Sequence, residues 1–332
     1  MPSPPVTIRD VAHEAGVSVA TVSRVLNGSG PVRAATRDRI HQTAHDLRYV
    51  PNVAARALST KQTHTVGVLL PDLYGEFFSE LLRGLDRAAR ARHLHLLVSG
   101  VRGSAAELTL AARALHGRVD GIVVMSPEAD PDALVRSLPP GLPLVVLGGR
   151  GASLAVDNAG GAAAATAHLA RLGHARIAHL RGAAGNADAE ERLAGYRAAM
   201  AAAGLPPLVL DGDFTEDAGR AAVAALLALP ERPTALFAAN DAMAVGALAA
   251  LREAGLAAPG DLAIVGFDDV PLASHLTPAL TTVHVPIAEL GAAAVERLHS
   301  SGSAPAARVL PATLVVRASC GGAAPFTSPL LS

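Results

Sequence analysis

The chain has 332 residues, half of them hydrophobic, with a formal net charge of −1, one cysteine and one lysine. Such a length can bury more than one core, the lone Cys320 excludes an intrachain disulfide, and no apolar run is long and charge-free enough to cross a bilayer. With Lys61 the only lysine, the bulk of the chain has no phosphate-loop or Schiff-base lysine, and it shows neither a G-x-S-x-G elbow nor an H-E-x-x-H pair, so the common enzyme classes fit poorly.

Thr7 precedes a short apolar-periodic stretch and can cap a helix starting at Ile8, with Asp10 complementing its positive end. Val11 and Ala15 supply the inner face, Gly16 permits a sharp turn, and Ser18 caps a second helix with Val22, Val25 and Leu26 facing inward. Its outward face is Val19, Ala20, Ser23, Arg24 and Asn27. Two helices joined by a short glycine turn form the arrangement that lays the second helix into a major groove. A small bundle for protein contacts would share this pattern, and charge separates the two. Residues 1–62 hold eight Lys and Arg against four Asp and Glu, a balance of +4 that leaves −5 for the remainder, so the footprint for nucleic acid lies at one end.

The string Ala12, Gly16, Val17, Ser18, Thr21, Val22, Ser23, Arg24, Val25, Leu26, Asn27, continued by Thr36, Tyr49, Pro51, Asn52, Ala54, Arg56 and Leu58, closely resembles the lactose-repressor family of bacterial transcription regulators. That resemblance implies that Val19, Ala20 and Thr21 open the DNA-reading helix, with Val19 and Ala20 reading bases. Arg24 would donate a fork to guanine. Ser18, Ser23, Asn27, Thr36 and Tyr49 would hold phosphates. Arg33 departs from the serine with which the family usually caps its third helix.

Pro51 opens a stretch of roughly two helical turns, too short to stand alone in water. The resemblance implies that it is a hinge helix, containing Asn52 and Arg56, that pairs across a dimer and wedges Leu58 into the minor groove, kinking the duplex. Ala54 and Leu58, four residues apart, would equally suit an ordinary core stripe.

From Thr65 the texture becomes short apolar runs (TVGVLLP, LHLLVS, DGIVVMS, PLVVLG, RIAHLRG, TALFAA, LAIVGF) alternating with helix-length, Ala-rich stretches. Strands buried on both faces and covered by helices are expected. Leu81, Leu82, Leu85, Ala88 and Ala89 give the first of those helices one apolar face. The resemblance implies an α/β body of two lobes of the periplasmic-binding-protein type, with crossovers near residues 158–161, 283–286 and 310–312. The expected division is a head over 1–50, a hinge over 51–62, one lobe over 63–158 plus 286–311, a second over 159–285 plus 312–320, and a tail over 321–332.

A cleft between two such lobes takes a small ligand at the carboxyl ends of its strands. Asp72 follows the first strand, and Phe77 and Phe78 open the next helix. Arg192 lies in a segment similar to the family's effector helix, and Phe214, Asn240 and Asp268 match its other effector positions. A planar fork, a carboxylate, an amide and an aromatic face suit vicinal hydroxyls or a heterocycle, so a sugar or sugar derivative is the first expectation and a purine-like ring the second. Taken singly, Phe77, Phe78 and Phe214 read as core at least as readily, and Asn240 and Asp241 as helix caps. Two departures stand near this pocket: Gly75-Glu76 replaces the common Asn-Pro, and Gly148-Gly149 replaces an acidic residue after the fourth apolar run.

No cofactor is expected, and no metal: His41 and His45, one helical turn apart, lack a third ligand. A secreted solute-binding protein would share the lobes, but the first ten residues carry no basic stretch, apolar run and cleavage site, and the lone cysteine suits a reducing bacterial cytoplasm. One reading helix covers only a few base pairs, so a homodimer on a near-palindromic double-stranded operator is expected, without membrane contact and on the nucleoid when bound. The last twelve residues hold no leucine heptad.

Overall fold

The fold comes from a computed structural model that describes residues 6–50, 62–101, 105–126, 131–138, 141–149, 151–300 and 307–322. The expected hinge residues Asn52, Arg56 and Leu58 lie outside these, as does the tail beyond residue 322. The chain divides into two units, Met1–His64 and Thr65–Ser332.

In the first unit, α1 (Ile8–Glu14), α2 (Val19–Leu26) and α3 (Ala34–Asp46) surround a small core of Val11, Ala12, Ala15, Val22, Val25, Ile40 and Ala44. The Thr7 amide and hydroxyl both donate to Asp10 Oδ2, at 2.7 and 2.8 Å, which closes the start of α1. Gly16 takes φ 62° in the turn, a left-handed conformation that favours glycine, and Ser18 Oγ then accepts the Thr21 amide at 3.2 Å. Arg33 gives α3 no side-chain cap.

The second unit is built on two six-stranded sheets. The first has the order β11-β5-β4-β3-β1-β2 and the second β12-β10-β9-β8-β6-β7. The first comprises β1 (Thr65–Leu70), β2 (His95–Gly100), β3 (Gly121–Met125), β4 (Leu144–Leu147), β5 (Leu154–Val156) and β11 (Arg308–Leu310). The second comprises β6 (Ile177–Leu180), β7 (Leu208–Leu210), β8 (Ala235–Ala238), β9 (Ala263–Asp268), β10 (Thr281–His284) and β12 (Thr313–Val315). All neighbours pair in parallel except β10 with β12. Between strands run α4 (Glu76–Arg90), α5 (Ala105–Ala114), α6 (Pro131–Ser137), α7 (Asn158–Arg171), α8 (Ala187–Ala202), α9 (Glu216–Leu227), α10 (Asp241–Glu253) and α11 (Ile287–Leu298). The chain passes from sheet to sheet after β5, after β10 and between β11 and β12.

Strands β3, β6, β8 and β9 are buried almost throughout, as helices on both faces require. Strand β2 differs from the expectation of two-sided burial. It is a sheet edge, and His95, Leu97 and Gly100 are exposed.

Three helix pairs pack through glycine. A Cβ on Gly84 of α4 would lie 2.0 Å from the Ala288 carbonyl oxygen of α11, and one on Gly195 of α8 would lie 2.2 Å from that of Ala159 in α7. In the α9–α10 pair the substitution is blocked from both sides: Gly219 meets the Met243 oxygen at 2.0 Å and Gly246 the Glu216 oxygen at 1.9 Å. Glycine inside a helix costs roughly 0.5–1 kcal/mol against alanine, and here that cost is offset by backbones that approach too closely for any side chain.

Gly161 of α7 occupies the centre of the crossovers. A Cβ there would meet Val283 at 2.9 Å, and Ala312 and the Phe267 ring at 3.0 Å each. All three connections therefore touch at one residue.

Candidate functional site

On the head, α2 exposes Val19, Ala20 and Arg24, while Thr21, Ser23 and Asn27 are half-buried. Burial of Val22 and Val25 fixes that orientation. Asn27 Nδ2 donates to Ser23 Oγ at 3.2 Å, and Ser18 and Thr21 share a hydroxyl bond of 2.8 Å, so these polar groups are held in two pairs. Thr36 lies in the first turn of α3, and Tyr49 packs its ring against the head core. A hollow of about 340 Å³ opens between α2 and α3, lined by Arg24, Arg37 and His41 with Gly28, Gly30 and Val32. Two guanidiniums and an imidazole around one depression form a surface suited to phosphate. His41 and His45 are exposed, and the described residues contain no group of three metal-ligating side chains.

In the second unit, Arg192 projects from α8, whose start is capped by Asn186 accepting the Ala189 amide at 3.0 Å. The guanidinium is buried, and two of its three nitrogens have partners. Nε donates to Asn158 Oδ1 at 2.9 Å, Nη1 donates to the Ala239 carbonyl at 2.5 Å, and the same nitrogen stands 3.7 Å from Asp268 Oδ1. Its carbon lies 3.9 Å above the Phe267 ring and 5.9 Å from that of Phe214, distances at which ring quadrupoles attract a cation.

Asp268 ends β9 with φ 113°, a strained value for a residue with a side chain. It is only 5% exposed, and its Oδ1 has no hydrogen-bond partner. Burial pushes its carboxyl up to about 7 against the pull of Arg192, and Asp188 adds to the rise. Behind it, Asp241 accepts the Val270 amide at 2.9 Å and the Thr282 hydroxyl at 2.5 Å. Burial, and then the neighbouring Asp268, hold its carboxyl well above the ordinary range.

The remaining expected positions divide. Phe214, at φ 71°, lays its ring over Gly182, where a Cβ would be 2.1 Å from Cζ. Asn240 caps α10 by accepting the Met243 amide and holds Phe214 by donating to its carbonyl, both at 3.0 Å. It is therefore cap and brace together. Arg192, Phe214, Asn240 and Asp268 form one contiguous group. Asp72 instead accepts the Leu73 and Tyr74 amides of its own loop, at 2.7 and 3.1 Å. Phe77 and Phe78 pack edge to face, centroids 5.4 Å apart, against the apolar core.

Three residues given no ligand role from sequence tie the two sheets' elements together. Asp188 of α8 accepts the Gly149 amide at 2.9 Å and Asn158 Nδ2 at 3.2 Å. Glu76 of α4 accepts the Leu272 amide at 2.9 Å. Asn158, buried at the first crossover, joins Asp188 to Arg192. An acid in the first turn of a helix reads from sequence as a dipole complement, so no local signal marked Asp188, while Glu76 stood out only as a departure from the Asn-Pro pattern.

A buried guanidinium–carboxylate pair against aromatic rings, in an α/β unit with two parallel sheets, defines a ligand-responsive body, and its companion in the chain is a helix-turn-helix head. Together they define a ligand-regulated DNA-binding protein. Residues 7–52 match the model for bacterial regulatory proteins of the lacI family, and residues 166–320 match that for a periplasmic binding protein-like domain. The chain is 38% identical over 302 residues to the ribose operon repressor of Escherichia coli strain K12, covering 88% of this chain and 92% of that protein. It is similar to the crystal structure of a lac repressor dimer bound to operator and the anti-inducer ONPF, with TM-score 0.86 and 30% identity over 95% of this chain and 99% of that one. It is also similar to a LacI family regulator from Enterococcus faecium with bound ribose, with TM-score 0.71 and 27% identity over 77% and 98% of the two chains. The chain belongs to the lacI family of bacterial regulatory proteins. It is a DNA-binding transcriptional regulator with an effector-binding body, not an enzyme.

Proposed function

We propose that this regulator is a repressor that acts as a homodimer on a near-palindromic operator and is controlled by a sugar or sugar derivative. Arg192, Phe214, Asn240 and Asp268 are the ligand residues, with Asp72, Phe77 and Phe78 contributing from the other side of the cleft. The observation that carries this reading is Asp268 Oδ1, a buried carboxylate oxygen beside a committed guanidinium and without a hydrogen-bond donor. An orphaned buried acceptor is costly, and a ligand hydroxyl would satisfy it. Similarity to the ribose operon repressor and to the ribose-bound regulator supports a sugar as the first reading.

On the head, Val19, Ala20 and Arg24 read bases, Thr21 lies with them in the DNA-binding helix, Ser18, Ser23, Asn27, Thr36 and Tyr49 hold phosphates, and Asn52, Arg56 and Leu58 act through a hinge. The domain limits are those set out from sequence, and the protein works in the bacterial cytoplasm on the nucleoid. Among the described residues, no helix is long and apolar enough to cross a membrane. Ligand binding shifts the populations of two lobe arrangements, and a coupling of about 1–3 kcal/mol changes operator affinity roughly 5- to 150-fold.

Thermal-shift screening of the full chain against D-ribose, D-galactose, D-glucose, cellobiose, hypoxanthine and guanine tests the ligand. A ligand stabilises the state it binds by mass action. A rise with a sugar is expected, and a rise with the purines alone would overturn the reading. Operator selection from random duplex should return a near-palindrome, and selection of no sequence would refute the DNA side.

A further inference from the structure

Several positive features that could receive an anion around the Arg192 group already face the chain's own acids. In an open parallel sheet, helix amino ends gather at the carboxyl ends of strands and there attract negative charge. Here α4 begins with Glu76, α8 carries Asp188 and Glu190 in its first turn, α9 begins with Glu216 and Asp217, and α10 begins with Asp241. Arg192 is taken by Asn158, Ala239 and Asp268. Arg181 is held by Asp211 and Glu190, and Arg317 by Asp269.

Against this background Asp188 is placed with unusual constraint. It is 8% exposed, and its Oδ1 accepts both the Gly149 amide and Asn158. Its Oδ2 stands 2.7 Å from where a Cβ on Gly148 would lie, and Gly148 itself has φ 67°. The Gly148-Gly149 departure and the acid at 188 therefore belong together: the acid comes from α8, Gly148 leaves room for it, and Gly149 donates its amide to it. Its charge reaches Asp268, whose orphaned oxygen marks the ligand position.

Building on the sugar reading above, we propose that the cleft selects an uncharged polyhydroxyl ligand and rejects phosphorylated or acidic sugars, and that Asp188 is the residue that enforces the choice. A neutral sugar brings hydroxyl donors to Asp268 at no electrostatic penalty. A phosphate or carboxylate brings a like charge into a desolvated site where Asp268 and Asp188 already oppose it.

The test uses the full chain and matched pairs: D-ribose and ribose 5-phosphate, D-galactose and galactose 1-phosphate, D-glucose and glucose 6-phosphate. At least one parent sugar should bind by calorimetry, and its ester should bind at least about tenfold more weakly. Asp188→Asn keeps an acceptor for the Gly149 amide but removes the charge, and it should narrow that gap severalfold with the parent's affinity changed less. An ester that binds as tightly as its parent, or a gap unmoved in Asp188→Asn, overturns the proposal. Failure of every parent and ester would instead sink the sugar reading. A ligand-free arm decides the role of Asp188 in that event: the Asp268 carboxyl, followed by carbon NMR against pH, should titrate lower in Asp188→Asn, and an unchanged titration overturns the assignment.

Discussion

Arg192 and Asn158 share a hydrogen bond of 2.9 Å, Nε to Oδ1, that ties the guanidinium of the ligand group to the residue at which the chain first crosses between sheets. Because Asn158 also donates to Asp188, the crossover, the α8 acid and the ligand arginine form one polar chain. Any ligand that moves Arg192 must pull on the crossover, which gives a direct physical route from the cleft to lobe geometry.

Asn158→Ala tests that route. The substitution leaves Arg192 Nε buried without its acceptor, a loss expected to cost about 1–3 kcal/mol. Urea unfolding should show the midpoint falling with an unchanged slope. Equal midpoints would remove Asn158 from the load-sharing network.

Gly161→Val addresses the three crossovers directly. The added side chain must displace Val283, Ala312 and Phe267 together, where even a Cβ sits at 2.9–3.0 Å. Overpacking of this kind costs about 1–3 kcal/mol. Since the strain falls on the connections, the response of operator affinity to a stabilising sugar should also shrink, measurable by fluorescence anisotropy with and without that sugar. An unaltered response would show that the crossovers do not carry the coupling.

His179 predicts an acid dependence. It is stacked between the Tyr196 and Phe237 rings, 4.9 and 4.7 Å away, with Nδ1 at 3.0 Å from the Phe237 carbonyl and Nε2 unpartnered. Burial lowers its pKa from 6.5 to about 4. The unfolded chain therefore binds the proton first as pH falls, so this contribution to stability is whole above pH 6.5 and is lost between there and about 4. Asp268 works in the opposite sense. Its folded value, about 7, lies above the ordinary 3.8, so its contribution is present below 3.8 and fades as pH rises through 7. The wild-type profile sums the two, and variants separate them. His179→Phe should remove an acid-side loss of roughly 2 kcal/mol at pH 5, and Asp268→Asn should remove the decline toward pH 7. Profiles parallel to wild type in both variants would contradict these assignments.

On the head, Arg24→Ala and Arg37→Ala should part company. Arg24 is exposed on the face of α2 that also presents Val19 and Ala20, so its loss should cost about 1–3 kcal/mol at one base position and relax preference there. Arg37, exposed on α3 at the rim of the basic hollow, should weaken all sequences alike and reduce the salt slope by about 1. Binding to operator and to random duplex at two salt concentrations checks both, and a sequence-dependent effect at Arg37 would reverse the roles.

The parts of this fold that sequence makes plain are those whose cause is local. Val11, Ala15, Val22 and Val25 recur at helical spacing, and the head core follows from them. The seven long apolar runs each contain a strand. Strands β5, β7, β11 and β12 are three residues long, too short to establish a period, and β10 hides in a mixed Thr-Thr-Val-His run. Arg192, Phe214, Asn240 and Asp268, which the structure brings into one group, could be named together because motif and chemistry coincide. The contacts of Asp188, Asn158 and Glu76 could not be read, since each has a partner at least 30 residues away in sequence. Nor could the two loop amides that Asp72 accepts, which follow from the turn the chain makes there.

The glycine contacts between α4 and α11, α7 and α8, and α9 and α10 leave these helix pairs no room to slide, because carbonyl groups sit where side chains would otherwise act as cushions. Each half of the body must then travel as a solid piece. A donor dye on one half and an acceptor on the other would report a single rotation, and the inferred angle should be the same wherever on each half the dyes are attached.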